Sequence, residues 1–336
     1  MWSLLRRTFD NYTLLLLGMV LLATFIPAVG VGETIMVWLT RSAVGLLFFL
    51  HGARLSRQAI LAGIMHWRLH GLVFSFSFLA FPLLGWLLQP VLRPLLGNEL
   101  AMGMLYLCAL PGTVQSAIAF TAMARGNLAA AVCSASASSI IGIVVTPLLV
   151  LLLLNLDAAG VSFSFLDTLL SISLQLLVPF VAGHLLRPII GEWVASQRSW
   201  LGNVDKGSIL LVVYTAFSAS VVAGLWNEVP LNRLLWLTFA CAVLLALVLV
   251  LTAWMARRLG FNKEDEITIV FCASKKSMAT GVPMAQVLFT GGLLGPMLLP
   301  LMIFHQIQLM ACAQLAAHYA KRPAAEAETV ETLEKA

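Results

Sequence analysis

The run Phe271-Cys-Ala-Ser-Lys-Lys-Ser-Met-Ala-Thr-Gly-Val-Pro283 places two lysines, Lys275 and Lys276, inside a stretch that otherwise reads as membrane-embedded. An ionised group near mid-bilayer costs at least a few kcal/mol, so it rarely sits there without a function. Gly281 and Pro283 in the same run interrupt a helix and free backbone groups that must find partners. A broken, charged helix in a many-helix membrane protein is the usual pointer to a transport site.

The rest of the chain supplies that membrane setting. Of its 336 residues, 60% are hydrophobic and only 10% charged, with a mean hydropathy of +0.96. A soluble domain carries about 25% charged residues, so this chain belongs in lipid. The pI near 9.1 does not indicate a nucleic-acid partner, because the basic residues are scattered through short interhelical loops with no basic, aromatic-studded face. The five cysteines, Cys108, Cys133, Cys241, Cys272 and Cys312, all lie in apolar segments without a CxxC pair, which argues against both a disulfide framework and a zinc site.

Spanning helices need about 20 mostly apolar residues. Ten segments qualify: 11–29, 34–51, 67–89, 100–122, 127–155, 165–187, 207–226, 232–255, 266–290 and 293–318. Runs such as Pro27-Ala-Val-Gly-Val-Gly32 and Gly202-Asn-Val-Asp205 read as the loops between them. The first span, after Met-Trp-Ser-Leu-Leu-Arg-Arg, reads as a retained helix and not as a signal peptide. Fifteen of the twenty Lys and Arg residues then fall on one side, only Arg93 and Arg233 on the other, and Arg41, Lys275 and Lys276 at membrane depth. That bias predicts cytoplasmic termini.

Ten spans divide into five plus five, and two consecutive five-helix halves must run through the bilayer in opposite senses. The expected units are residues 1–157 and 158–320, followed by a polar cytoplasmic tail at 321–336. The fourth span carries Leu110-Pro-Gly-Thr-Val-Gln-Ser116 and the ninth carries Ser274-Lys-Lys-Ser-Met-Ala-Thr-Gly-Val-Pro283. Both are Gly/Pro-interrupted and rich in hydroxyl or amide groups, at the same ordinal position in each half. Pro82, Pro179 and Gly183 also kink spans, but without a comparable polar cluster.

The run Pro111-Gly-Thr-Val-Gln-Ser-Ala-Ile-Ala-Phe-Thr-Ala-Met-Ala-Arg-Gly-Asn127 resembles the fourth-helix signature of the bile acid:sodium symporter family. Ala-Arg-Gly-Asn at 124–127, Ser-Lys-Lys-Ser at 274–277, Leu46-Leu-Phe-Phe-Leu-His-Gly-Ala-Arg54 and Pro300-Leu-Met-Ile-Phe-His-Gln-Ile-Gln308 resemble its bacterial YfeH-like, SBF-like branch, which is related to the vertebrate bile acid cotransporter seven. The resemblance covers residues 10–320. It implies an all-α fold of ten transmembrane helices in two inverted five-helix repeats, forming a panel domain and a core domain with crossed, broken helices four and nine. It also implies a location in a bacterial cytoplasmic (inner) membrane. The family's sodium ions are held at the crossover by hydroxyl, amide and carbonyl oxygens plus a ninth-helix glutamate. Here that glutamate's place falls near Ser274, and lysines follow it.

No Asp or Glu lies in the middle of any span, whereas a hard cation prefers oxygen ligands, usually including a carboxylate. Thr113, Gln115, Ser116, Ser274, Ser277 and Thr280 could supply neutral oxygens, joined by free carbonyls at the breaks; Thr113, Gln115, Ser116 and Ser274 are the candidate sodium ligands. A lysine ammonium beside them would repel the ion. Three readings of the lysines follow. One occupies the cation's place and donates to those oxygens, with burial lowering its pKa so that protons couple to transport. Alternatively, it attracts an anionic substrate, aided by half-helix N-termini. In the third reading the span starts later, and both lysines snorkel to the cytoplasmic surface. Neighbouring residues on a helix point about 100° apart, so one lysine is expected to face the cavity while the other turns away.

His51 and His184 read as packing residues. His305, beside Gln306 and Gln308, is the better candidate for a role. In Ala129-Ala-Ala-Val-Cys-Ser-Ala-Ser-Ala-Ser-Ser139, Ser134 and Ser138 share a face; packing is their main reading and ion ligation the lesser one. No Walker A, HExxH or nucleophile-elbow motif indicates an ATPase or an enzyme. The sequence therefore predicts a secondary active transporter, sodium- or proton-coupled, for a small organic and anionic solute, with no cofactor beyond a sodium ion. The alternative is a non-transporting membrane regulator with lysine in the former cation site. Oligomeric state is left open.

Overall fold

The structure, a computed structural model, describes residues 11–54, 66–154, 170, 173–225, 229–289 and 291–322, and no strand occurs among them. The expected boundary between the two halves at 157/158, and the tail beyond Arg322, lie outside the described residues. In chain order the helices are α1 (Asn11–Phe25), α2 (Val31–Arg54), α3 (Trp67–Leu96), α4 (Asn98–Ala109), α5 (Gln115–Met123) and α6 (Leu128–Leu154). They continue with α7 (Val178–Ser196), α8 (Arg198–Val222), α9 (Leu231–Arg258), α10 (Lys263–Ala273), α11 (Met278–Leu288) and α12 (Leu294–Ala320).

The chain is a multi-span membrane protein: α2, α3, α6, α7, α8, α9 and α12 each contain a stretch long and apolar enough to cross a bilayer. Their outer faces carry large apolar side chains turned away from the protein. Leu152 and Ile189 are 77% and 78% exposed, a pattern that suits hydrocarbon and not water. The short helices α4, α10 and α11 are buried along nearly their whole length. They form the centre that the long helices enclose.

Two long helices carry a local π turn immediately before a proline: Phe76–Ala80 before Pro82 in α3, and Ser173–Leu177 before Pro179 at the start of α7. Proline has no N–H to give, so the ladder must shift or break there. In α3 the Phe81 amide reaches back to the Phe76 carbonyl, five residues earlier. Pro82 has no amide hydrogen for the next carbonyl. The Ser77 carbonyl is therefore stranded in a buried helix, a consequence used below.

One expected loop is helical. Gly202-Asn-Val-Asp205 lies inside α8, which starts at Arg198 and not near 207; the chain turns at Gln197 instead. Helices of membrane proteins continue past the hydrocarbon, so a polar, turn-rich sequence there ends the apolar run without ending the helix.

α1 packs on α8, and α2 packs on α7. The second contact is close because of two glycines. A Cβ on Gly52 would land on the Phe180 carbonyl oxygen, and a Cβ on Gly183 would land on that of Phe49. Each helix thus seats its backbone against the other's glycine.

At one end of the molecule the connection from α5 to α6 is tied to the start of α10. The Asn127 amide donates to the Glu264 carbonyl at 3.1 Å, and its side chain donates to Asp265 Oδ1 at 2.8 Å. The Thr268 hydroxyl donates to the Asn127 carbonyl at 3.1 Å. Asn127 Oδ1 also accepts the Ala130 amide at 3.0 Å, capping α6. Nearby, the buried Glu266 accepts from Arg257 at 3.0 Å and Lys263 at 2.7 Å, and Arg322 donates to the Arg125 carbonyl at 2.8 Å.

Gly52→Ala should lower the thermal midpoint in detergent, at a cost of about 1–3 kcal/mol for overpacking. Gly45→Ala in the same helix, where no atom lies within 4 Å of the added carbon, should leave it unchanged or raise it slightly. Equal midpoints for the two variants would contradict the close crossing.

Candidate functional site

The α4–α5 pair breaks at Leu110–Val114, and the α10–α11 pair breaks at Ser274–Ser277. The two breaks meet. The Ser277 amide donates to the Pro111 carbonyl at 2.9 Å, and a Cβ on Gly112 would lie 3.0 Å from the Cys272 carbonyl oxygen, so only glycine lets the chains approach this closely.

A helix that stops inside a protein leaves its last carbonyls without partners. Around the end of α4 five carbonyls have named donors. Leu107 takes the Leu110 amide at 3.3 Å, Ala109 takes the Thr146 hydroxyl at 2.9 Å, and Pro111 takes Ser277. The carbonyls of Cys108 and Leu110 both accept from Lys276 Nζ, at 2.9 and 2.7 Å. The third Lys276 donor goes to the stranded Ser77 carbonyl at 2.9 Å, and the Phe81 ring lies across the ammonium at 4.1 Å to its centre. All three ammonium hydrogens have acceptors. The partial negative charge of the α4 C-terminus adds to their attraction.

Lys275 is held differently. Its Nζ donates to the Ser116 carbonyl at 3.0 Å and sits over the rings of Phe120 and Phe271 at 4.0 and 4.9 Å. Both lysines are 0% exposed. Neither snorkels to a surface, and neither lines the cavity described below, which corrects the expectation that one would face it. Of the oxygens anticipated, the donors go to the free backbone carbonyls and not to the hydroxyl and amide side chains. The peptide of Lys276 is fixed by Gln308, whose Oε1 accepts the Lys276 amide at 2.9 Å while its Nε2 donates to the Lys276 carbonyl at 3.0 Å. That Nε2 also lies 2.9 Å from His305 Nδ1.

A cavity of about 600 Å³ opens beside the crossover, between the starts of α5 and α11 and the facing parts of α2, α8 and α12. Thr113, Gln115, Ser116, Ser277, Thr280 and His305 line it, six of the residues singled out in the sequence. Thr113 and Ser116 pair their hydroxyls at 2.6 Å, and Ser277 Oγ accepts the Thr280 amide at 3.3 Å as the cap of α11. Thr280 Oγ1 is buried with no hydrogen-bond partner.

The remaining candidates lie away from the cavity. The Ser274 hydroxyl donates to the Val270 carbonyl at 2.6 Å, so Ser274 does not converge with Thr113, Gln115 and Ser116 as a four-ligand set. Ser134 bonds His70 Nδ1 at 2.6 Å, Ser138 accepts the Gly112 amide at 3.2 Å, and Gln308 serves Lys276. Among the described residues no group of three or more His, Cys, Asp or Glu side chains could hold a metal ion. Sequence reasoning missed Ser77, Phe81, Cys108 and Leu110, which hold Lys276, and His51, Ser139, Asn203 and Lys206, which line the cavity.

Residues 10–321 match the model of the SBF-like CPA transporter family. The chain belongs to that family. The YfeH protein of Escherichia coli strain K12, whose name assigns it provisionally as a symporter, is 56% identical, over 94% of this chain and 94% of its own. An uncharacterised Pseudomonas aeruginosa protein is 63% identical, over 93% of both chains. The protein named sodium/bile acid cotransporter 7 in Danio rerio is 30% identical, over 88% of this chain and 90% of its own. The family and two of these relatives are thus transporters by name, and the many apolar helices agree.

Gln308→Leu should destabilise this SBF-like protein markedly. It leaves the buried Lys276 amide and carbonyl unpaired, at about 1–3 kcal/mol for each group. A drop of several degrees in thermal midpoint is expected; an unchanged midpoint would show that Gln308 does not hold the break.

Proposed function

We propose that the protein is a secondary active transporter that carries a small organic anion across a bacterial inner membrane by alternating access. The observation that carries this reading is the cavity floor: two half-helix N-termini open onto it and, among the described residues, no carboxylate lines it. Each N-terminus carries roughly half a positive charge, and the α5 start has no side-chain cap of its own. The Lys275 ammonium lies directly behind the floor, bonded to the Ser116 carbonyl, and Lys206 belongs to the facing wall. Met278, Val114, Ile209 and Leu309 give the same space apolar surface for a carbon skeleton.

In this reading α4–α5 and α10–α11 each count as one span and α1 as another, making ten spans in two inverted five-helix halves. Helices α1, α2, α7 and α8 form the panel, and the others form the core that rocks against it. The charge bias supports a cytoplasmic position for Arg125, Arg257, Lys263 and Arg322 with both termini, and Lys206 of the same basic side, lining the cavity, supports an inward-facing opening.

A thermal-shift screen of carboxylate- and sulfate-bearing solutes tests the proposal. Some of these anions should raise the native midpoint. Thr280→Val should weaken the response at least about tenfold, the worth of one hydrogen bond to a charged group. Its own ligand-free midpoint should match the native protein, because Thr280 Oγ1 bonds nothing in the fold. Stabilisation by cations or neutral solutes alone would reject an anionic substrate.

A further inference from the structure

Relatives of this chain carry sodium in their names, and the resemblance in the sequence places sodium where the broken helices cross. The residues at this crossover do not suit that ion. Hard cations are held by several oxygens, usually including a carboxylate. Here the converging oxygens are the carbonyls of Ser77, Cys108 and Leu110, and each already accepts a hydrogen of one ammonium. The Phe81 ring offers its face to the same group. Among the candidate ligands, Thr113 is paired with Ser116, Ser274 donates to the Val270 carbonyl, and Ser138 accepts the Gly112 amide.

The cage itself is a monovalent-cation site by construction. Its oxygens are available only because the backbone was interrupted: Pro82 withholds an amide from Ser77, and the end of α4 leaves Cys108 and Leu110 without helical donors. Three carbonyl dipoles and a ring face, drawn from α3 and α4, converge on one point that a side chain from the second break fills. A neutral residue there would leave three buried acceptors unsatisfied.

We infer that the Lys276 ammonium is the built-in cation of the crossover, so that the protein assembles and works without sodium at this position. This rests on the transporter reading only for the identity of the crossover; the cage geometry stands independently. Lys275 reinforces the exclusion of a second cation, because it brings another positive charge to the adjacent break, against Ser116.

The test uses the full chain in detergent at constant ionic strength. The native midpoint should be the same in sodium, potassium and choline chloride. Lys276→Ala removes a propylammonium fragment, and its midpoint should fall by several degrees. It should then rise saturably with added n-propylammonium, which carries the three N–H donors, and not with tetramethylammonium, which carries none. Lys276→Met fills the space without charge and should stay low under every salt. Sodium-specific stabilisation of the native protein would overturn the inference, as would a Lys276→Ala midpoint equal to native or indifferent to propylammonium. If Lys276→Ala cannot be purified even with propylammonium present, the native sodium comparison decides alone. None of these readouts involves a transported solute, so loss of the anion responses with these results intact would strike only the proposed transport function.

Discussion

An ammonium among apolar helices is tolerable here because three carbonyls with no other donor converge on it. Everything near the centre depends on that convergence. The break in α4–α5 supplies two of the oxygens, the π turn in α3 supplies the third, and the break in α10–α11 supplies the lysine. Remove the charge and three acceptors are stranded; remove the proline or the break and the charge loses partners. The polar core is stable as a set and costly in any subset, as expected of buried networks in a low-dielectric interior.

The same set links the interior to the cavity. Lys276 ties α4 to the second break, Gln308 of α12 holds that break by both backbone groups of one residue, and Lys275 ties it to the floor through Ser116. A group that enters at the starts of α5 and α11 therefore meets backbone positioned from behind by two fixed charges. On the transport reading proposed above, preorganised dipoles of this kind would add to Lys206 of the facing wall in recognising an anion.

Much of this was legible in the residues. Hydropathy marked the long helices, and Lys275, Lys276, Gly281 and Pro283 marked one broken segment, as Pro111 and Gly112 marked the other. Five of the eight central candidates line the cavity, and His305 joins them, because hydroxyl and amide residues cluster where helices start. The acceptors of Lys276 were not legible, since a carbonyl has no residue type of its own. Pro82 was the available clue: a proline deep in a helix announces a stranded carbonyl about one turn earlier, but not which side chain will reach it. Gly202-Asn-Val-Asp205 misled because turn composition marks the edge of the hydrocarbon as readily as the end of a helix. Ser134 and Ser138 are buried and each also makes a hydrogen bond, because small hydroxyl residues serve close packing and hydrogen bonding equally well.

The reciprocal glycines of α2 and α7 carry a mechanical implication. Gly52 receives Phe180 while Gly183 receives Phe49, so the two rods are notched into one another at paired points. Notched rods cannot slide lengthwise or roll independently without first separating. On the transport reading proposed above, a rearrangement that exposes the cavity to the other face of the bilayer would leave this joint shut and take up its motion where α8 meets α11 and α12.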